Sequence, residues 1–172
     1  MITQTPWLER SFHFDFPAGI FPCLLERLSG TPSRIEEMVK DVSESILPEK
    51  PGGKWSVKEH IGHLGDLELV HDGRIDDYLS GKEILRAADV LNKATNEAQH
   101  NLKSIEVLLT HFRDERMAMI RRLEAADEQL INTVAIHPRL QVKMRLADMV
   151  YFTCEHDDHH LAKMRAIIRQ SF

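Results

Sequence analysis

The sequence predicts an all-α four-helix bundle, on three observations. Four long stretches carry apolar residues at three- and four-residue spacings, one long polar stretch separates the second from the third, and no stretch alternates convincingly as a strand. With 172 residues, 42% of them hydrophobic and 28% charged, the chain can bury a core without disulfides or a folding metal. We therefore expect one domain over residues 1–172, with residues 1–18 as an N-terminal arm.

The arm lacks helical period and holds Trp7, Phe12, Phe14 and Phe16 before Pro17. So many aromatics are costly to leave in water, and the arm should dock on the bundle or on a partner subunit. The first helical stretch runs from about Ile20 to Leu47 and is interrupted at Ser29-Gly30-Thr31-Pro32, giving one kinked helix or two. A loop follows from Pro48 to Gly53. Ser56-Val57-Lys58-Glu59 then reads as a capping box that opens the second helix, which ends near Ser80-Gly81. Residues 81–103 form the long crossover connection, with short helical tendency from Ile84 to Ala94. The third helix spans Ser104 to Ala125 on the stripe Ile105, Leu108, Leu109, Phe112, Met119, Ile120 and Leu123, and Asp127 to Ala135 adds a turn or two. His137-Pro138 breaks the chain, and the last helix runs from near Val142 to about Gln170.

Charge excludes some partners. A net charge of −5 argues against nucleic acid, which wants a basic face. Arg113, Arg116, Arg121 and Arg122 alternate with acids and read as a solvated helix face. No secretory signal or long apolar run appears, so no membrane partner is expected and the cytoplasm is the default location. Cys23 and Cys154 lack redox spacing, and Cys154 reads as a small core residue.

The chemistry concentrates in Cys154-Glu155-His156-Asp157-Asp158-His159-His160. At about 100° per residue, His156 and His160 fall roughly 40° apart and one turn from each other, where two imidazoles can hold one ion. Both sit on the rim of the apolar stripe, Asp157 lies near its centre, and His159 turns away. A third ligand must come from elsewhere. The second helix offers His60 and His71 within its apolar arc and His63 on the rim. The wheel does not choose among them, although His63 occupies the same rim position as the pair. Isolated inward histidines such as His60 and His71 default to hydrogen-bonded core residues, and His13, His100, His111 and His137 carry no functional signal.

Trp55-Ser56 followed by Glu59, then His63-Leu64 and Asp66, with His156-Asp157-x-His159-His160 far downstream, resembles the DinB family of YfiT-like metal-dependent proteins. The opening Phe14-Asp15-Phe16-Pro17, Phe21-Pro22 and Leu25-Glu26-Arg27-Leu28 through Gly30-Thr31-Pro32 is similar to members of its larger subgroup. The resemblance implies an up-down-down-up bundle, frequently a homodimer, with a divalent metal on His63, His156 and His160. It also implies chemistry of the kind relatives perform with low-molecular-weight thiols as co-substrates. The family name records damage induction in bacteria, and nothing in the sequence supports polymerisation.

Three neutral imidazoles leave positions open on the metal, the catalytic arrangement for zinc. The expected function is a metal-dependent enzyme acting on a small-molecule substrate, most naturally a thiol-dependent transferase or a related hydrolase or isomerase. Glu59 or Asp66 could orient an imidazole or shuttle a proton, and Asp157 is the third carboxylate for that role, unless a buried basic group captures it. Zinc and nickel suit the site best, with iron and manganese also accepting imidazole. The absence of the H-E-x-x-H glutamate argues against a peptidase. A di-iron rival rests on Glu68-x-x-His71 and Asp157-x-x-His160 but lacks bridging glutamates. The alternative of another class is a non-catalytic metal-binding or helical interaction protein of a stress response, with a saturated centre or none and no cleft.

Overall fold

Pro32 decides how the first arm of the bundle is built. In the computed structural model, which describes residues 2–170, helix α1 covers Phe21–Ser29 and α2 covers Thr31–Val39, joined through Gly30 in a helical conformation. Proline has no N–H for the carbonyl of residue 28, so that oxygen is free for another donor. Arg116 Nη1 takes it, at 3.1 Å from Leu28 O. The stretch is thus two nearly continuous helices, and it ends at Val39; residues 40–47 are turns, with Leu47 buried.

Helix α3, Val57–Leu79, starts at the expected capping box: Ser56 Oγ accepts from Glu59 N at 3.1 Å, and Glu59 Oε2 accepts from Ser56 N at 2.9 Å. The crossover departs from expectation. Residues 84–94 are not helical at their start; Ile84 bridges Ile136, with Leu85 N donating to Ile136 O at 3.0 Å, and helix α4 is confined to Lys93–Glu97. Helix α5, Ile105–Glu124, is capped by Ser104, and the short α6, Glu128–Asn132, by Asp127.

Two short strands then appear where none was expected. Strand β1, Val134–Ile136, pairs antiparallel with β2, Lys143–Arg145, around the His137-Pro138 turn. Three residues are too few to show a period, which hid them from the sequence. Because residues 143–145 are spent on the ladder, helix α7 begins at Leu146 rather than near Val142 and runs to Gln170. The extremes of the expected single domain, residues 1, 171 and 172, lie outside the described residues.

Two apolar clusters fix the directions of the helices. One gathers Phe21, Leu24 and Leu28, Ile75 and Tyr78, Met119 to Leu123, and Leu146 to Cys154. The other gathers Ile35 and Val39, Val57 to Leu64, Leu108 and Phe112, and Leu161 and Met164. The α1–α2 arm runs from the first cluster to the second, α3 and α5 both return to the first, and α7 runs back to the second. This is the up-down-down-up order, which requires a crossover long enough to let α3 and α5 lie parallel.

Between the clusters each arm of the bundle contributes a buried polar group. Arg116 is fully buried, donating from Nε and Nη2 to Glu68 at 2.9 and 2.7 Å and from Nη1 and Nη2 to Asp157 at 2.5 and 3.1 Å. Thr31 Oγ1 also donates to Asp157, at 2.8 Å. Arg116 is therefore not part of a solvated face. It continues the apolar stripe of α5 between Phe112 and Met119, and two carboxylates make its burial tolerable. Burial alone would lower the Arg116 pKa, but Asp157 and Glu68 outweigh it and raise it. Burial would likewise raise Glu68, yet the Arg116 charge holds it down to about 2. Arg113 and Arg122 do pair at the surface, with Glu36 and with Asp72 and Asp76.

The arm docks on α7. Trp7 packs on Phe12, Phe152 and His156 at centroid distances of 5.0 Å, Phe14 and Phe16 meet Tyr151, and Arg10 pairs with Glu155. Cys154 is a core residue, its thiol pushed up to about 12 by burial. Among the described residues, no helix is long and apolar enough to cross a membrane.

Candidate metal centre

One helical turn on α7 and one residue of α3 make the centre. His156 and His160 point the same way, their Nε2 atoms 3.0 Å apart, and α3 brings His63 against them with ring centroids 5.4 and 4.8 Å away. One ring nitrogen from each of the three lies within 4.8 Å of the others. All three are buried. Burial lowers His63 to about 4, against the opposing charge of Asp66, and holds His156 and His160 well below the ordinary imidazole value. The rings are neutral at physiological pH, the protonation state in which imidazole is a ligand.

Hydrogen bonds set which nitrogen of His63 is free and how His160 is turned. Thr95 Oγ1 donates to Asp66 Oδ2 at 2.8 Å, so at 3.1 Å from His63 Nδ1 it can only accept, and Nδ1 carries the proton. The lone pair of His63 is then on Nε2. His160 shares its Nδ1 with His60 Nδ1 at 2.8 Å, leaving its Nε2 toward the centre. His156 Nδ1 is buried with no hydrogen-bond partner among the described residues. The donor set, three neutral and converging imidazoles, fits a divalent ion of borderline softness.

The carboxylates anticipated from sequence divide. Asp66 acts on His63 through Thr95 and also accepts His100 Nε2 at 2.8 Å. Glu59 is not brought to the histidines: Lys50 holds its Oε1 at 2.7 Å while the capping box holds Oε2, so its charge serves the helix start. Asp157 is captured by Arg116, as is Glu68, so neither acid of the di-iron reading is free to bridge two irons. His159 does leave the core face, but the arm covers it: Gln4 Nε2 lies 3.1 Å from its Nδ1, and Trp7 packs nearby.

Thr95 and His100 had no sequence signal as supports, because they lie in the crossover and reach the site only through its fold; His60, read as a hydrogen-bonded core residue, bonds His160. His100 fits because residue 62 is glycine; a Cβ there would stand 2.3 Å from its ring. Trp55 closes one side, stacked on His160 at 6.1 Å and tilted against His63 at 4.7 Å.

Beside the three histidines opens a cavity of about 440 Å³. Trp7, Phe152, Leu67 and His71 line it, as do the crossover residues Ala87 to Val90. The three histidines therefore border a cavity large enough for a small molecule.

The sequence model of the DinB superfamily matches residues 27–164. No curated protein matches the chain. Among solved structures, YfiT from Bacillus subtilis, described as a probable metal-dependent hydrolase with an unusual four-helix bundle topology, superposes with a TM-score of 0.81. The two sequences are 18% identical over 95% of this chain and 94% of that one, so the likeness is one of fold.

Proposed function

The chain belongs to the DinB superfamily, and on that premise we propose that it is a divalent-metal-dependent enzyme acting on a small molecule, with His63, His156 and His160 as the ligands. The observation that carries this reading is the convergence of three neutral imidazoles at the wall of a cavity of about 440 Å³. A non-catalytic metal centre would have no use for a cavity beside it. The description of YfiT as a probable metal-dependent hydrolase points the same way.

When bound, a divalent ion on three imidazoles supplies Lewis-acid activation of a water or a small thiol, giving a nucleophile near neutral pH. The remaining work falls to the chain itself. Asp66 and Thr95 keep the proton of His63 on Nδ1 so that it presents Nε2, and His60, bonded to Nδ1 of His160, holds that ring with its Nε2 toward the centre. Trp55, Trp7 and Phe152 line the approach with apolar rings and keep bulk water out. Neither Cys23 nor Cys154 lines the cavity, so any thiol nucleophile comes as a co-substrate. Thiol-dependent transfer is the reading that the family resemblance supports, with hydrolysis by water as the related reaction.

Cobalt substitution tests it. Adding 2-mercaptoethanol to the cobalt-loaded protein should produce a near-ultraviolet thiolate-to-metal charge-transfer band, absent from the His63→Ala, His156→Ala, His160→Ala variant. A cobalt spectrum indifferent to thiol would remove the thiol reading and leave hydrolysis.

A further inference from the structure

The same cavity is lined by buried donors that lack an acceptor or an ion-pair partner among the described residues. Leu140 N donates to His137 Nδ1 at 3.2 Å, so the proton of this ring is on Nε2. His137 is only 3% exposed and lines the cavity, and its Nε2 has no partner among the described residues. Arg139 lines the cavity too, its guanidinium lying over Trp7 and Phe152 at 5.8 and 5.7 Å, with Nη2 buried and equally unpartnered. Arg74, 2% exposed, bonds through Nε to Arg86 O at 3.2 Å and forms no ion pair among the described residues. Such groups are costly to bury unless something with acceptors and negative charge joins them.

Resting on the enzymatic reading above, we propose that Arg74, Arg139 and His137 form an anion subsite that binds a carboxylate group of the substrate. The one acid lining the cavity does not neutralise them: Asp89 spends its carboxylate on the amides of Leu91 at 3.0 Å, Lys93 at 2.5 Å and Ala94 at 3.4 Å. The donors are guanidinium and imidazole N–H, and the planar guanidinium fork matches a carboxylate, as it does a phosphate, between which the titration below decides. Burial lowers Arg74 to about 10 and His137 to about 3, so the arginine stays charged and the histidine is a neutral donor at pH 7. Phe152, which contacts His137 at 5.0 Å, lines the same cavity as His156, so subsite and centre open on one space.

Calorimetric titration tests this with benzoate, its neutral isostere benzamide and phenyl phosphate, against zinc-loaded wild type, metal-free wild type, the triple histidine-to-alanine variant, Arg139→Gln, Arg139→Lys and Arg74→Gln. Thermal melts of each variant verify folding. We expect benzoate to bind the metal-free wild type and the triple variant alike, to bind Arg139→Gln and Arg74→Gln at least tenfold more weakly, and to recover part of the loss in Arg139→Lys. Benzamide should bind at least tenfold more weakly than benzoate. If the protein takes up no metal yet shows this pattern, the enzymatic reading fails and the subsite stands. Benzoate binding that needs zinc and ignores both arginine variants would place the carboxylate on the metal and overturn the subsite. Equal binding of benzamide, or tighter binding of phenyl phosphate, would overturn the carboxylate assignment.

Discussion

Thr95 Oγ1 stands 3.1 Å from His63 Nδ1 and donates its own hydrogen bond to Asp66, so a crossover residue fixes the tautomer of a bundle histidine. Partners of this kind are commonly worth about 10–100-fold in metal affinity. Thr95→Val, which keeps the shape and removes the acceptor, should weaken zinc binding by about that factor in a competitive chelator titration. Thr95→Ser should retain most of it.

Arg116 joins Glu68 and Asp157 in a layer that no solvent reaches. Arg116→Met leaves two buried carboxylates uncompensated and should cost about 3–5 kcal/mol in urea unfolding. The loss should shrink as pH falls, because the carboxylates of the variant can take protons. Replacing all three by apolar residues of similar volume should recover much of the stability.

The buried histidines make the metal-free protein acid-sensitive. In the folded state burial holds His60 and His137 to about 3 and His63 and His159 to about 4, while the unfolded chain titrates near the ordinary value of about 6.5. Below about pH 6.5 the unfolded state binds more protons than the native state, so stability must fall as pH falls toward 4. Glu68, held at about 2 against an ordinary 4.5, adds its own loss as pH falls from about 4.5 toward 2. The urea midpoint of the chelated protein should therefore be lower at pH 5 than at pH 7.5.

Gly62 faces the ring of His100 at a distance that admits no Cβ. Gly62→Ala gains helix propensity but must displace an imidazole near its root, and should cost about 1–3 kcal/mol net. Because His100 also holds Asp66, the same variant should weaken zinc binding; a fold that is destabilised with unchanged zinc affinity would uncouple the two.

The bundle was legible because its signals are local and repeated. The Ser56-Glu59 capping box, the α5 stripe and the α7 stripe each state an element within a few residues. Short or long-range features were not. Strands of three residues have no period to read, and the Ile84–Ile136 bridge joins segments 52 positions apart. Arg116 looked solvated because a buried arginine is unusual until its two carboxylates are seen. The spacing of His156 and His160 is a property of one helix and could be read directly; the convergence of His63 is a property of two, and wheel geometry left it level with His60 and His71. The crossover's share, Thr95, His100 and the cavity lining from Ala87 to Val90, had only its length as a hint.

The central claim is that these three imidazoles hold a divalent ion, and elemental analysis tests it most directly. The protein would be purified without chelator or metal-affinity tag, beside the His63→Ala, His156→Ala, His160→Ala variant. The account predicts about one divalent metal per wild-type chain and none in the folded variant. No metal in either, even after zinc or nickel is supplied, would contradict it.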